Sequence, residues 1–236
     1  MVNKRVAIHQ SNYIPWKGYF DLIASVDEFI LYDDVQYTRR DWRNRNYIKT
    51  PNGLQWLTIP VEVKGKYYQK ICETKVSDNN WVEKHWKTIC HNYSNAKFYN
   101  LYSDLLYETY LQVKNEMFLS EVNYIFLKQV CRILDIKSKI TWSMDFNIPS
   151  ELDKNKRLIA LCLAAGASNY ISGPAARDYM DIDLFNKNGI SVEYFSYSGY
   201  FQYNQLYEGF EHKVSVIDLI LNAGNEAKLL FRGDRD

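Results

Sequence analysis

The chain is 236 residues long, with 29 basic and 28 acidic side chains and a formal charge of +1. That balance leaves no global field to hold DNA or an anionic membrane, and no apolar run approaches the roughly 20 residues of a membrane-spanning helix. The four cysteines (Cys72, Cys90, Cys131 and Cys162) lie far apart, with neither CxxC nor Cys/His ligand spacing; free, buried thiols in a reducing compartment are expected. No signal-peptide pattern opens the sequence, so a soluble cytoplasmic protein is expected.

In chain order, residues 4–8 read as a first buried strand around Val6-Ala7-Ile8. A polar loop follows, then a helix over 19–25 with Phe20, Ile23 and Ala24 at i, i+3, i+4 spacing, and a second strand over 28–32. Strand, loop, helix and strand in so short a span predict a βαβ unit. Residues 39–45 read as loop or ragged helix. Residues 46–49 and 54–63 pair as a hairpin around Pro51-Asn52-Gly53, because Asn-Gly supplies positive φ angles. Helices are predicted over 81–93 (capped within Ser77-Asp78-Asn79-Asn80), 96–112 and 118–134. A strand at 140–143, a helix at 155–165, strands at 169–172 and 192–195 and a helix at 214–222 complete the pattern. The fold class this predicts is α/β, with a central, largely parallel, Rossmann-like sheet. One domain over 1–236 is expected, with a helical subdomain at about 78–135.

Several strings carry a resemblance. His9-Gln10-x-Asn12-Tyr13-x-Pro15-Trp16-x-Gly18-Tyr19-Phe20, Asp33-Asp34-Val35-Gln36 and Asn44-Arg45-Asn46-x-Ile48-Lys49-Thr50 are similar to the WbqC-like family. So are Lys84-His85-Trp86, Ser172-Gly173-Pro174 and Ser215-Val216-Ile217-Asp218-Leu219, so the resemblance spans essentially the whole chain. The family usually has Pro where this chain has Ser11, which leaves the turn there less rigid. The resemblance implies a place in bacterial polysaccharide synthesis of the O-antigen type, with glycine transfer suggested for one such protein.

Polar residues gather just past the ends of apolar strands, where ligands of open parallel sheets bind. A His beside a carboxylate can take a proton near neutral pH, which acyl transfer to an amine requires. His9 is therefore the expected general base, with Asp33 as its orienting partner. Asp33 and Asp34 are adjacent, so in extended chain they point opposite ways; one would enter the site and the other pair with an arginine or cap a turn. No metal site is assigned. Gln10, Asn12, Tyr13, Trp16, Tyr19, Asp34, Gln36, Asn44 and Asn46 are the expected substrate-binding set. Arg40 and Arg45 would take phosphate in bidentate fashion, helped by the turn at Ser172, Gly173 and Arg177, where a helix start attracts anions and Ser172 could cap. A solvated arginine loop paired with Asp33, Asp34 and Asp41 is the alternative for that cluster. Lys49 is expected in solvent on the hairpin, and His85 exposed on its helix beside packed tryptophans.

The expected activity is aminoacyl (glycyl) or acyl transfer to the amino group of a nucleotide-linked amino sugar, without a covalent enzyme intermediate. The donor stays open: ATP with Mg²⁺ and a free amino acid, a charged tRNA or a carrier thioester. Partners would be the amino sugar nucleotide and that donor, with no membrane and no DNA, and a homodimer remains open. Two alternatives stand beside it: a non-catalytic nucleotide-sugar binding protein, and a nucleotidylyltransferase-like enzyme. The strand, His-bearing loop and helix favour the latter by analogy alone, since no second His follows in Pro15-Trp16-Lys17-Gly18-Tyr19.

Overall fold

Val6 and Ala7 are fully buried and Ile8 nearly so, which only a strand covered on both faces requires. A computed structural model of the chain describes residues 3–149 and 151–233. The regular elements in chain order are β1 (Arg5–His9), α1 (Lys17–Ala24), β2 (Glu28–Leu31), β3 (Arg45–Thr50), β4 (Gly53–Thr58) and α2 (Trp81–Tyr93). They continue with α3 (Tyr99–Gln112), α4 (Leu119–Ile133), β5 (Lys139–Trp142), α5 (Lys154–Ala164) and β6 (Asn169–Ser172). The last are α6 (Ile182–Lys187), β7 (Ser191–Tyr194), α7 (Val216–Ala223) and α8 (Ala227–Leu230). No helix among the described residues is long and apolar enough to cross a membrane.

The chain divides into two compact units. The first comprises Met1–Gln10, Leu22–Asp34 and Ile136–Tyr197, and the second Ser11–Asp21, Val35–Asp135 and Ser198–Asp236. The first unit is the α/β part: a five-stranded, all-parallel sheet in the order β5-β2-β1-β6-β7. Val6, Ile8, Ile30 and Tyr170 on one sheet face pack against Leu158 and Cys162 of α5 and Phe185 of α6. Tyr170 and Phe185 stack with ring centroids 5.6 Å apart. Each such side chain contributes roughly 1.5–3 kcal/mol by leaving water. Asp153 caps α5 by accepting from the Lys156 amide at 3.0 Å, and Gly166, at φ +69°, ends it.

Glu28 is the charged exception in this sheet, 2% exposed. Burial pushes its carboxyl upward, but Lys4 at 2.7 Å, the Thr141 hydroxyl at 2.8 Å and Lys139 at 3.3 Å hold it below the usual range. The paired cations decide the sign.

The second unit holds α2, α3, α4, α7 and α8 with the antiparallel hairpin β3-β4. The hairpin turns at Pro51-Asn52, with Thr50 paired to Gly53, which sits at φ +101°. Its second strand stops at Thr58, short of the predicted residue 63. Ile59 donates instead to the Asn44 carbonyl at 2.8 Å, and Pro60 has no N–H to continue a ladder. Helix α2 has the predicted limits, but Asn80 makes no side-chain cap bond; Asp78 accepts the Asn80 amide at 2.9 Å instead. Helices α6 and α8 were not expected, and α6 starts on a cap overlooked in the sequence, Asp181 accepting from Leu184 N at 3.0 Å. None of the four cysteines is in a disulfide, yet only Cys131 and Cys162 are buried while Cys72 and Cys90 are half-exposed.

Candidate active site at the sheet edge

From β1 the chain order runs outward to β2 on one side and from β6 to β7 on the other. The order therefore reverses between β1 and β6. Right-handed crossovers then put the β1-to-β2 connection on one face and the β6-to-β7 connection, α6, on the other. In open parallel sheets such a reversal marks the edge, at the carboxyl ends of the two strands, where ligands bind. His9 and Gln10 end β1 there, and Ser172 and Gly173 end β6.

Register sorts these side chains by face. Arg5, Ala7 and His9 alternate with Val6 and Ile8, and the latter two belong to the α5/α6 core. The His9 Nδ1 lies 3.3 Å from the Gln10 carbonyl. A carbonyl only accepts, so in the neutral tautomer that donates from Nδ1 the lone pair lies on Nε2. Leu31 pairs with His9, and alternation past the strand end puts Asp33, which is fully buried, on His9's face. Asp34 turns the other way, as expected for adjacent residues. It binds Arg157 of α5 and accepts the Ser143 hydroxyl at 2.6 Å. Its arginine thus comes from a helix 123 positions onward, not from residues 39–45.

Ser172 sits with Tyr170 on the α5/α6 face, Oγ to OH 3.4 Å. His9 and Ser172 therefore occupy opposite faces, and the expectation of a single cleft lined by His9, Asn12, Asp33 or Asp34, Gln36 and Ser172 is corrected: alternation sets the side, and His9 and Ser172 share only the carboxyl edge of the sheet. Ser172 caps nothing; the turn after it is a short 3₁₀ helix, Pro174–Asp178, without a side-chain cap bond. Gly173 has open space where a Cβ would stand, and Arg177 lies over the Tyr194 ring at 4.9 Å.

On that same face tyrosines and cations alternate. Arg157 lies over Tyr32 at 5.4 Å, and the Lys154 Nζ sits 3.1 Å from the Tyr179 ring centroid. Burial is the first cause raising the phenols of Tyr32, Tyr170 and Tyr179, and their mutual fields add to it. None of Tyr32, Lys154, Arg157, Tyr170, Tyr179 or Tyr194 was singled out from the sequence. A basic first turn on the predicted helix 155–165 was the available signal.

The remaining predicted residues belong to the second unit, where the protein engages them. Asn12 accepts from the Arg43 guanidinium, and Ser11, fully buried, accepts from Asn123 at 3.0 Å. Serine in place of proline thus gives this turn a hydrogen bond. Asn46 Nδ2 donates to the carbonyls of Tyr13 and Ile14 at 3.2 and 2.9 Å, pinning Ile14 at φ +35°, a region costly for a β-branched residue. Asn44 donates to Ile59 O at 2.7 Å. Trp16 lies edge-on to Tyr200, its ring over Gly18 where any Cβ would collide. Tyr19 is buried against Phe20. Gln36 is exposed and donates to Tyr67 O at 2.9 Å. Arg45 donates to the Arg40 carbonyl and stacks on Trp56 at 4.0 Å, while Arg40 is exposed at φ +58°.

Two expectations are overturned in this unit. His85 is 6% exposed, not on the surface. It shares the helix face of Trp81, and its Nδ1 meets the Tyr13 hydroxyl at 2.9 Å while Nε2 meets Thr58 O at 3.2 Å; Tyr13 also bonds Tyr110 at 2.8 Å. Burial pushes His85 down to about 4, the Thr58 carbonyl opposing. A depressed histidine stabilises fully above its unfolded value near 6.5, and that contribution is lost as pH falls towards about 4. The loss should approach roughly 3 kcal/mol. Denaturant unfolding between pH 7 and 4 should show it, with His85→Gln flattening the slope; equal slopes would remove His85 as the cause.

Lys49 is the second correction. It is 5% exposed, donating to Gln205 Oε1 at 2.9 Å and to the carbonyls of Tyr207 and Gly209. Lys17 holds the same segment, donating to Phe201 O at 2.7 Å inside the rings of Tyr200, Tyr203 and Phe210. Burial brings it down to about 8 against the pull of Asp218. Asp218, fully buried, accepts from Tyr203, Tyr93 and Gln205 at 2.7, 2.8 and 2.9 Å.

Among known proteins, the chain is 49% identical over 224 residues to "Uncharacterized protein Rv1507c" of Mycobacterium tuberculosis (strain ATCC 25618 / H37Rv), covering 95% of this chain and 96% of that one. No solved structure matches. The WbqC-like protein family pattern matches residues 10–229. With the β1 and β2 ends, the hairpin and the β6 turn all inside that match or at its border, the chain belongs to the WbqC-like protein family.

Proposed function

We propose that this protein transfers an acyl or aminoacyl group, glycine foremost, to the amino nitrogen of a nucleotide-linked amino sugar in bacterial polysaccharide assembly. The observation that supports it is the reversal of strand order between β1 and β6, with His9-Gln10 on one side and Ser172-Gly173 on the other. The amine nitrogen attacks the donor carbonyl and forms the amide bond; the donor's bond to its leaving group breaks, and that group departs with the electron pair. The proton released by the amine goes to His9 Nε2, and the Asp33 carboxylate on the same face stabilises the imidazolium. Gln10, Ser172, Gly173 and Arg177 hold substrate at the edge.

The test is incubation with UDP- and dTDP-linked hexoses bearing a free amine, with glycine and Mg-ATP, glycyl-tRNA or a glycyl thioester as donor. Mass spectrometry should find a glycyl amide on the sugar with one of these donors. Binding without product would leave a nucleotide-sugar binding protein, and pyrophosphate exchange without amide would leave nucleotidylyl transfer.

A further inference from the structure

The α5/α6 side of the sheet edge gathers cations from two separate elements. Lys154 and Arg157 stand in the first turn of α5, and Arg177 in the 3₁₀ turn after β6. Each lies on a different tyrosine ring: Tyr179, Tyr32 and Tyr194 respectively. The rings are also tied to one another. Tyr32 feels the field of Tyr179 and Tyr179 that of Tyr194, and the Tyr179 carbonyl accepts from Asn155 of α5 at 3.2 Å. Phenols that stay protonated are donors, as are the three cations, so the surface offers mainly hydrogen-bond donors. Asp34 is taken up by Arg157 and Ser143, and Asp153, beside Lys154, by Lys156. Lys154 and Arg177 are in no ion pair among the described residues, and two such cations match the two ionised oxygens of a diphosphate diester. Arg157 Nε, buried, has no hydrogen-bond partner among the described residues.

Resting on the reading that this edge takes a nucleotide-linked substrate, we propose that Lys154, Arg157 and Arg177, with the hydroxyls of Tyr32, Tyr179 and Tyr194, form the subsite for its diphosphate. Cations laid on rings are held in place before the ligand arrives, which lowers the ordering cost of binding. The planar arginines suit paired phosphate oxygens. This subsite does not use Arg40 or Arg45: the one is on an exposed turn, and the other is stacked on Trp56.

Calorimetric titration with UDP, inorganic pyrophosphate and uridine tests the proposal. The full chain should bind UDP and pyrophosphate, more weakly as salt rises, and uridine far less. Lys154→Ala and Arg177→Ala should each weaken UDP binding about tenfold or more, the range for a hydrogen bond to a charged group. Both side chains are exposed, so melting temperature should not move, and Lys187→Ala on α6 should bind as the parent does. The charge-reversed double variant Lys154→Glu/Arg177→Glu should lose UDP binding altogether. Parental affinity in that double variant overturns the subsite; if it still forms the glycyl amide at the parental kcat/KM, the transferase reading survives with its phosphates held elsewhere. Absence of UDP and amino-sugar nucleotide binding by the parent protein overturns both.

Discussion

Exchange of His9 for Gln should lower kcat for amide formation roughly 10²–10⁴-fold, the usual contribution of a positioned acid–base group. The backbone of this residue is secured independently of its side chain, since the His9 carbonyl accepts from Tyr32 N at 2.9 Å. Glutamine keeps the length and polarity of the side chain at this half-buried strand end, so substrate affinity and melting temperature should stay near the parental values. The parental rate should climb with pH, because the protonated ring cannot accept the amine proton. Stopped assays and thermal unfolding on one preparation separate the cases. Normal turnover per folded molecule would remove His9 from the reaction and leave the amine to react already neutral.

A comparable effect on stability is expected at Asp218. This fully buried carboxylate accepts three hydrogen bonds and faces the charge of Lys49. Asp218→Ala leaves the Tyr93 and Tyr203 hydroxyls without this acceptor, removes one of the three acceptors of Gln205 Nε2 and takes the counter-charge from Lys49, a loss of about 3–5 kcal/mol. For a chain of this length that is a fall of roughly 6–20 °C in melting temperature. Asp218→Asn keeps one acceptor oxygen and should cost less than half as much. Burial raises the Asp218 pKa more than its partners lower it, so its ionisation opposes folding. That part of its contribution is full below the ordinary carboxylate range and lost as pH rises through the raised value. An alanine variant melting within about 2 °C of the parent would show that segment 198–213 is held without Asp218.

Most of the sheet was legible because parallel strands are continuous apolar runs, and Asn169–Ser172 and Trp81–Tyr93 have the limits expected of them. The short helix at Ile182–Lys187 escaped because its cap, Asp181, lies in a run of acids without a long apolar stripe. The strand ends that make the candidate site, His9 and Ser172, were visible as polar residues after apolar ones. Their faces were not, because alternation has to be anchored to a known packed face before it assigns sides. Lys49 and His85 were misplaced for a related reason. Lys49's acceptors lie 156–160 positions away and Tyr13 lies 72 positions from His85, so local pattern reads both residues as polar surface when the fold buries them. The cation–tyrosine surface shares that obscurity: Asp34 and Arg157 are 123 positions apart, and only the parallel order of strands brings their elements together.

The most direct test of a catalytic sheet edge is a co-crystal structure with a UDP-linked amino sugar. Ligand density should lie at the carboxyl ends of β1 and β6, with the sugar nitrogen about 2.6–3.2 Å from His9 Nε2, or one water away. Well-defined density anywhere else on the protein, with His9 remote from the amine, would contradict it.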